Sequence, residues 1–410
     1  MAKQFRGRRQ SFRIKRFPVF LDIFFLAIVS CSGSHAVPFS FFQRHCVKSE
    51  TVHNLNLTTG KITRGGSSEL SNKSQSLHTL LEKAEQHAAK EQVLQAARCL
   101  RQAQASHANI ELNGDLKRIL HIAGCVNSTT SELATTPDEE MWAKISSVHK
   151  GKRPIIVHYQ MDDKRRTTFR IEILIEKALL VPLLAVLIET ELYNTWVPRW
   201  KFPAVGIQFV TKLAQTGRTK QILHVGIEAP WPFHKREIIL SSTGMEDIDE
   251  TGLIAIHLDT IQPDNNHSHH GIIPPPEPGV ERIDFEGCFV FQKCPDNHPI
   301  LENCIAASIQ QEDFCNGECL ILVGFLLFVD AKIPSLFPMW IVNFVLRTAT
   351  AKTIKILLSL AEDVRFGRRQ RQDHVLAMAR KRKELYDWVD ERTTILEHID
   401  AESKQCNGNW

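Results

Sequence analysis

The segment Val329–Leu358, VDAKIPSLFPMWIVNFVLRTATAKTIKILL, constrains the fold more than any other part of the chain. The run before it, Leu320–Val329, is apolar throughout and has the length of a buried strand; it stops at Asp330. Lys332 and Pro334 turn the chain, and a second proline, Pro338, lies where a helix tolerates one, in a first turn whose N–H groups have no partner. A long helix is expected from Ile333 to Leu360. Its apolar residues fall at 336, 337, 339–342, 344–346, 354, 356–358 and 360, which is more than one stripe against a core. Such a helix needs a second apolar partner beyond its own sheet, and a bound hydrophobic molecule would supply it.

At 410 residues the chain allows about two or three domains. Its net charge of +4 is too small to indicate nucleic acid, and it is unevenly placed, with seven Lys or Arg and no acid in residues 1–16. An apolar run, Phe17–Ser30, follows that basic end. It is shorter than the roughly 20 residues of a spanning helix and contains Asp22. Ser34-His35-Ala36 has the small-residue spacing of a signal-peptidase site, so 1–36 reads as a cleavable targeting segment for the secretory pathway or a membrane-bounded organelle, a plastid among them. The ten cysteines are scattered rather than clustered as a disulfide framework. Five lie between Cys288 and Cys319, near His267, His269 and His270, yet no paired CxxC spacing occurs, and the sequence calls for no metal and no cofactor.

Residues 37–75 are polar and aperiodic, as in a disordered linker. From 76 to 126 apolar residues recur at three- and four-residue steps (Leu77, Leu80, Leu81, Ala84, Ala88, Val93, Ala96, Leu100, Ala103) with a break near Lys90, the pattern of a helical hairpin followed by a further helix. Beyond Met141, strands are expected at Ile155–His158, Phe169–Ile175, Gln221–Glu228, Glu237–Leu240, Leu253–Asp259, Ile283–Phe291 and Leu320–Val329, with a helix over Ala178–Glu191. In Phe169–Ile175 apolar residues alternate with Arg170 and Glu172, which predicts one buried and one solvated face. By the same parity His224 and His257 are expected in solvent. Two strands, a helix, five strands and a last long helix suit one antiparallel sheet curled around that helix.

Three blocks, PLLAVLIETELYNTWVP (182–198), IEAPWPFHKREIIL (227–240) and DAKIPSLFPMWIVNF (330–344), occur in this order. Over 141–366 the chain thereby resembles the START lipid-transfer domains, named for the steroidogenic acute regulatory protein. Glu237 stands where that family has Asp after the arginine, and the loops Pro263–Gly279 and Lys293–Asn316 are insertions. The resemblance implies an α+β helix-grip fold, a curved antiparallel sheet around a long C-terminal helix, with a tunnel for one hydrophobic ligand such as a phospholipid, sterol or fatty acyl lipid. It implies binding, and transfer of the ligand through water, without catalysis. Ligand-contacting candidates are Trp196, Trp231, Arg236, Trp340, Asn343, Val345 and Leu346. Against each stands a packing role; Arg236 in particular suits a structural ion pair with Glu189, Glu191 or Asp330.

Two other classes compete. A cavity enzyme of the cyclase kind shares the helix-grip fold, but no Ser-His-Asp order, paired-carboxylate motif, HExxH or glycine-rich phosphate loop occurs. A scaffold would use the hairpin or the charged C-terminal helix, 367–402, to hold a protein partner. In that tail eight basic residues between Arg365 and Lys383 precede seven acids between Glu384 and Glu402. Its three- and four-residue seam (375, 378, 382, 385, 389, 392, 396, 399) contains Arg382 and Arg392, which argues against a coiled coil. Packing against the helical hairpin is the expected resting place, and the basic half also suits peripheral contact with an anionic membrane.

Overall fold

The computed structural model describes residues 67–107, 110–150, 153–163, 166–196, 199–201, 204–229, 233–261, 271–301, 319–332, 350–368 and 372–406. Its centre is one sheet of eleven strands: β1 (Ala143–Lys150), β2 (Arg153–Met161), β3 (Thr167–Glu176), β4 (Arg199–Lys201), β5 (Ala204–Gln215), β6 (Lys220–Glu228), β7 (Lys235–Asp247), β8 (Leu253–Thr260), β9 (Val280–Arg282), β10 (Asp284–Lys293) and β11 (Leu320–Asp330). The spatial order is β1-β2-β3-β11-β10-β8-β7-β6-β5-β4, antiparallel throughout, and the short β9 lies parallel to the start of β7. Hairpins make nearly all of these pairings, so no crossover helices are needed.

Four strands were not expected. β5 hides its period because its pairing with β6 slips twice, between Ile207 and Phe209 and between Lys212 and Ala214, and each bulge inverts the alternation of faces. β1, an edge strand of mostly polar residues, carries a similar slip between Lys144 and Ser146. The three-residue β4 and β9 are too short to show a period.

Helices cover both faces. On the outer face lie α1 (Ser67–Ala89), α2 (Val93–Ser106) and α3 (Gly114–Leu133). α1 begins inside the stretch read as linker, because a helix nucleated by the Leu77–Ala88 stripe gains one hydrogen bond for each further residue and runs on into polar sequence. Asn113 caps α3, its side chain accepting from the Leu116 N–H at 2.9 Å. Val93, Leu94 and Ala97 of α2 and Ile122, Val126 and Leu133 of α3 pack on Met245, Leu253, Ala255, Cys288 and Val290. At Gly324 a Cβ would lie 2.2 Å from Leu133 Cδ1, so glycine is what lets the C-terminal end of α3 approach β11.

This layer overturns the expected solvated face. Arg170 and Glu172 are buried, 0% and 3% exposed. The guanidinium donates to the carbonyls of Glu132 at 2.7 Å and Thr135 at 2.6 Å and pairs with Glu172 at 3.0 Å, tying the end of α3 to β3. Strand alternation reports that a face is polar, and here the polar groups meet helix ends instead of water. For the same reason His257 is fully buried and His224 is mostly so, bonded to Glu237 at 2.8 Å.

On the inner face α4 (Leu180–Ile188) and the single turns α5 (Tyr193–Trp196) and α6 (Ile248–Thr251) join α7 (Thr350–Arg365) and the main core. Of the helix expected over Ile333–Leu360, Thr350–Leu360 is described; Ile354, Leu357, Leu358 and Leu360 are buried there in the core shared with α4. Protein therefore covers this half of the apolar helix. The half that carries Trp340, Asn343, Val345 and Leu346 lies outside the described residues.

The chain ends in α8 (Gln372–Leu376) and α9 (Lys383–Cys406), joined through a π-turn at Ala377–Lys381. α9 does not rest on the hairpin. Leu385, Tyr386, Val389 and Leu396 enter the inner core beside α4 and α6. The two arginines of its seam find acids there: Arg382 pairs with Glu189 at 3.4 Å, and Arg392 with Glu246 at 3.0 Å and Asp249 at 2.6 Å. Residues that spoil a coiled coil thus select this docking instead.

Candidate functional site

A cavity lies where the inner face of β6–β8 separates from α4 and α9. The space between these elements, open mouth included, is about 640 Å³. Leu184, Leu187 and Ile188 of α4 form one wall, Ser242, Gly244, Ile254 and Ile256 the floor, and Leu385, Trp388 and Val389 of α9 the other wall. The floor follows from β parity: 242 and 244 share a face, as do 254 and 256, and that face is the one carrying α4.

The polar lining is small and occupied. Gln221 is buried; its amide donates to the Ile188 carbonyl at 3.1 Å, and its carbonyl accepts from the Thr190 hydroxyl at 2.9 Å. Glu246 and Arg392, the charged lining groups, pair with each other at 3.0 Å. Asp249 also holds Arg392; this hydrogen bond keeps the Asp249 carboxyl below the usual carboxylate range, although slight burial acts the other way. The Arg392 guanidinium is pushed up by its bond to Asp249, against burial, with Glu246 adding to the rise. No cation among the described lining residues is left to neutralise an anionic head group.

α9 is held as a wall by buried polar contacts. The Tyr386 hydroxyl donates to Glu189 at 2.7 Å, and burial together with the Glu189 charge pushes the phenol well up. Arg218 stacks on the Trp388 ring, 4.0 Å from its centroid, while Arg382 donates to the Arg218 carbonyl at 2.8 Å.

Of the residues expected to contact ligand, the structure describes two, and neither lines this cavity. Trp196 is fully buried, edge-on to Tyr193 with ring centroids 5.2 Å apart. Arg236 is buried on β7; it pairs with Glu281 at 3.2 Å and donates to the carbonyls of His234 and Ala331, so its ion pair is with β9 and not with Glu189, Glu191 or Asp330. Burial lowers its pKa, and Glu281 opposes that shift. Trp231, Trp340, Asn343, Val345 and Leu346 lie outside the described residues. Leu385 and Val389 of the α9 wall lie in the seam legible in the sequence, Trp388 lies beside it, and nothing in that seam says which surface receives it. Cys288 is a free, fully buried thiol.

No protein-family model and no curated protein matches the sequence. Solved structures do. Human STARD10 is similar at 16% identity and a TM-score of 0.40, covering 65% of this chain and 87% of its own. The STAR-related lipid transfer protein of Xanthomonas axonopodis is similar at 17% identity and a TM-score of 0.35, covering 54% and 98%. The lipid transfer and protein localization domain of human StarD13 follows at 12% identity and a TM-score of 0.33, covering 61% and 98%. The fold is α+β, an antiparallel sheet with helices on both faces, the class that the sequence blocks implied.

Proposed function

We propose that this chain binds one hydrophobic molecule in the cavity between β6–β8, α4 and α9, without catalysis, and that it carries the molecule through water. The observation behind this reading is the wall chemistry: apolar side chains on three sides, with the charged lining pair Glu246 and Arg392 neutralised internally. Binding of this kind is driven by removing apolar area from water. Each methylene enclosed contributes about 0.8 kcal/mol, so a ten-carbon tail gains about 8 kcal/mol before the cost of ordering it. The paired charges favour ligands with an uncharged head, such as a sterol or neutral acyl lipid, over an anionic phospholipid. They also leave no lining carboxylate free to act as a base.

Native mass spectrometry of residues 37–410 after exposure to a total lipid extract tests the proposal. One retained neutral lipid per chain is expected in the parent, and Leu187→Glu, which sets a charge in the wall, should abolish retention while the chain stays folded. A parent that retains no hydrophobic molecule and takes up no fluorescent sterol or fatty acid would refute it. So would a folded Leu187→Glu chain that binds as the parent does.

A further inference from the structure

A second site lies on the opposite side of the sheet. His121 and Cys125 sit one turn apart on α3 and so share a face, the face turned to β8 and β10. His257 on β8 and Glu286 on β10 are diagonal neighbours across one strand pair, since His257 is opposite Cys288 and Asp259 opposite Glu286. Helix and sheet bring four donor atoms together, all within 4.8 Å of one another. His121 Nε2 is 3.0 Å from Glu286 Oε1, Cys125 Sγ is 3.2 Å from the same oxygen and 3.8 Å from His121 Nε2, and His257 Nε2 is 3.8 Å from Glu286 Oε1. A tetrahedral zinc ion with bonds of about 2.0–2.3 Å would separate its ligands by about 3.3–3.6 Å, and these distances straddle that range.

His257 supplies an independent observation. Its side chain is fully buried, and among the described residues neither ring nitrogen has a hydrogen-bond partner. Two orphaned imidazole nitrogens are costly in a protein interior. Here Nε2 points at the cluster and Nδ1 lies 3.9 Å from Asp259, which is itself held by Arg118 at 3.4 Å. A metal on Nε2 with a carboxylate behind Nδ1 is the arrangement in which ligating histidines are usually oriented.

We propose that His121, Cys125, His257 and Glu286 form a structural zinc site that fastens α3 to the outer face of the sheet. The charge balances: a divalent cation against one thiolate and one carboxylate leaves the half-enclosed site neutral, with both imidazoles uncharged. On binding, the Cys125 thiol loses its proton to solvent as the sulfur–zinc bond forms. Two nitrogens, one sulfur and one oxygen suit zinc, whereas magnesium and calcium demand oxygen shells. Four protein ligands close the coordination, so the role is to hold the layers together rather than to activate water. The site is independent of the lipid cavity, which lies across the sheet.

The experiment uses the full chain, stripped with a chelator under reducing conditions and titrated with zinc against a chelating indicator, and with Co(II) as a spectroscopic probe. The parent should bind one zinc per chain, raise its melting temperature on binding, and give Co(II) the visible bands of a tetrahedral ion with a thiolate charge-transfer band. His121 is exposed at the rim, so His121→Ala should fold; it should weaken zinc binding by more than the about 10–100-fold that loss of an outer partner causes. Cys125→Ser should remove the charge-transfer band. Should Cys125→Ser fail to fold, His121→Ala alone decides. Zinc affinity equal in parent and His121→Ala, or an octahedral Co(II) spectrum without thiolate character, would overturn the site and leave a hydrogen-bonded cluster of His and Glu.

Discussion

The docking of α9 predicts what one hydroxyl is worth. Tyr386 and Glu189 are 4% and 5% exposed, and the phenol donates to the carboxylate at 2.7 Å. Tyr386→Phe keeps the ring in the core it shares with Leu385 and Val389 and removes only the donor. Glu189 then retains Arg382, at 3.4 Å, in place of two partners. A hydrogen bond to a charged acceptor contributes about 1.5–3 kcal/mol, and little of this is recovered from water because the pair is enclosed. At about 1.2 °C per kcal/mol for a chain of this size, the melting temperature should fall by about 2–4 °C. Calorimetry gives the global number, and hydrogen exchange along 383–396 tests its location: protection should drop there more than in β10 and β11, since the lost contact anchors α9 itself. A loss below about 0.5 kcal/mol, the usual size of a surface change, would refute the clamp. Equal loosening of β11 would refute its local character.

Three further outcomes are expected. Gly324→Val should destabilise the chain by about 1–3 kcal/mol, as its side chain collides with Leu133; a neutral effect by denaturant titration would mean α3 is not seated there. Burial, with Arg170 and Lys144 nearby, lowers His158 from 6.5 to about 4, so the unfolded chain binds the extra proton first. Stability from neutral His158 is complete above 6.5 and is lost as pH falls toward 4, and His158→Gln should flatten that loss in midpoints measured across the window; an unchanged slope would refute it. Finally, cleavage after Ala36 is expected from the basic and apolar start of the chain, and N-terminal sequencing of protein from its native cells would overturn it by finding Met1 or Ala2.

How much of this was legible depends on the range of the interaction that sets each feature. The strands β3, β8, β10 and β11 announce themselves, the last by a continuous apolar run and the others by local alternation, and one face of each meets the same core. β5 does not, because bulges invert its parity midway. The outer face was misread for a different reason. Arg170, Glu172 and His257 carry the polar signature of solvent, yet the carbonyls that meet Arg170 and the His121 ring that stands edge-on to His257 come from α3 and its end, a helix whose docking no local pattern specifies.

The cavity shows the same limit from the opposite direction. An over-apolar helix argued for a ligand, but the described half of that helix is covered by α4, and the cavity is walled by α9, whose seam looked defective. Arg382 and Arg392 decide the matter only when Glu189, Glu246 and Asp249 are in view, and those acids come from the end of α4, the end of β7 and the turn α6. The charged tail is thus a lid completed by ion pairs on both sides of an apolar stripe. That arrangement makes the cavity's closure sensitive to charge: Arg392→Met should leave Glu246 without its cation beside the lining, loosen α9 at the mouth, and raise the off-rate of a bound fluorescent lipid more than it changes the melting temperature. An unchanged off-rate in a folded Arg392→Met chain would show that ligand leaves by another route.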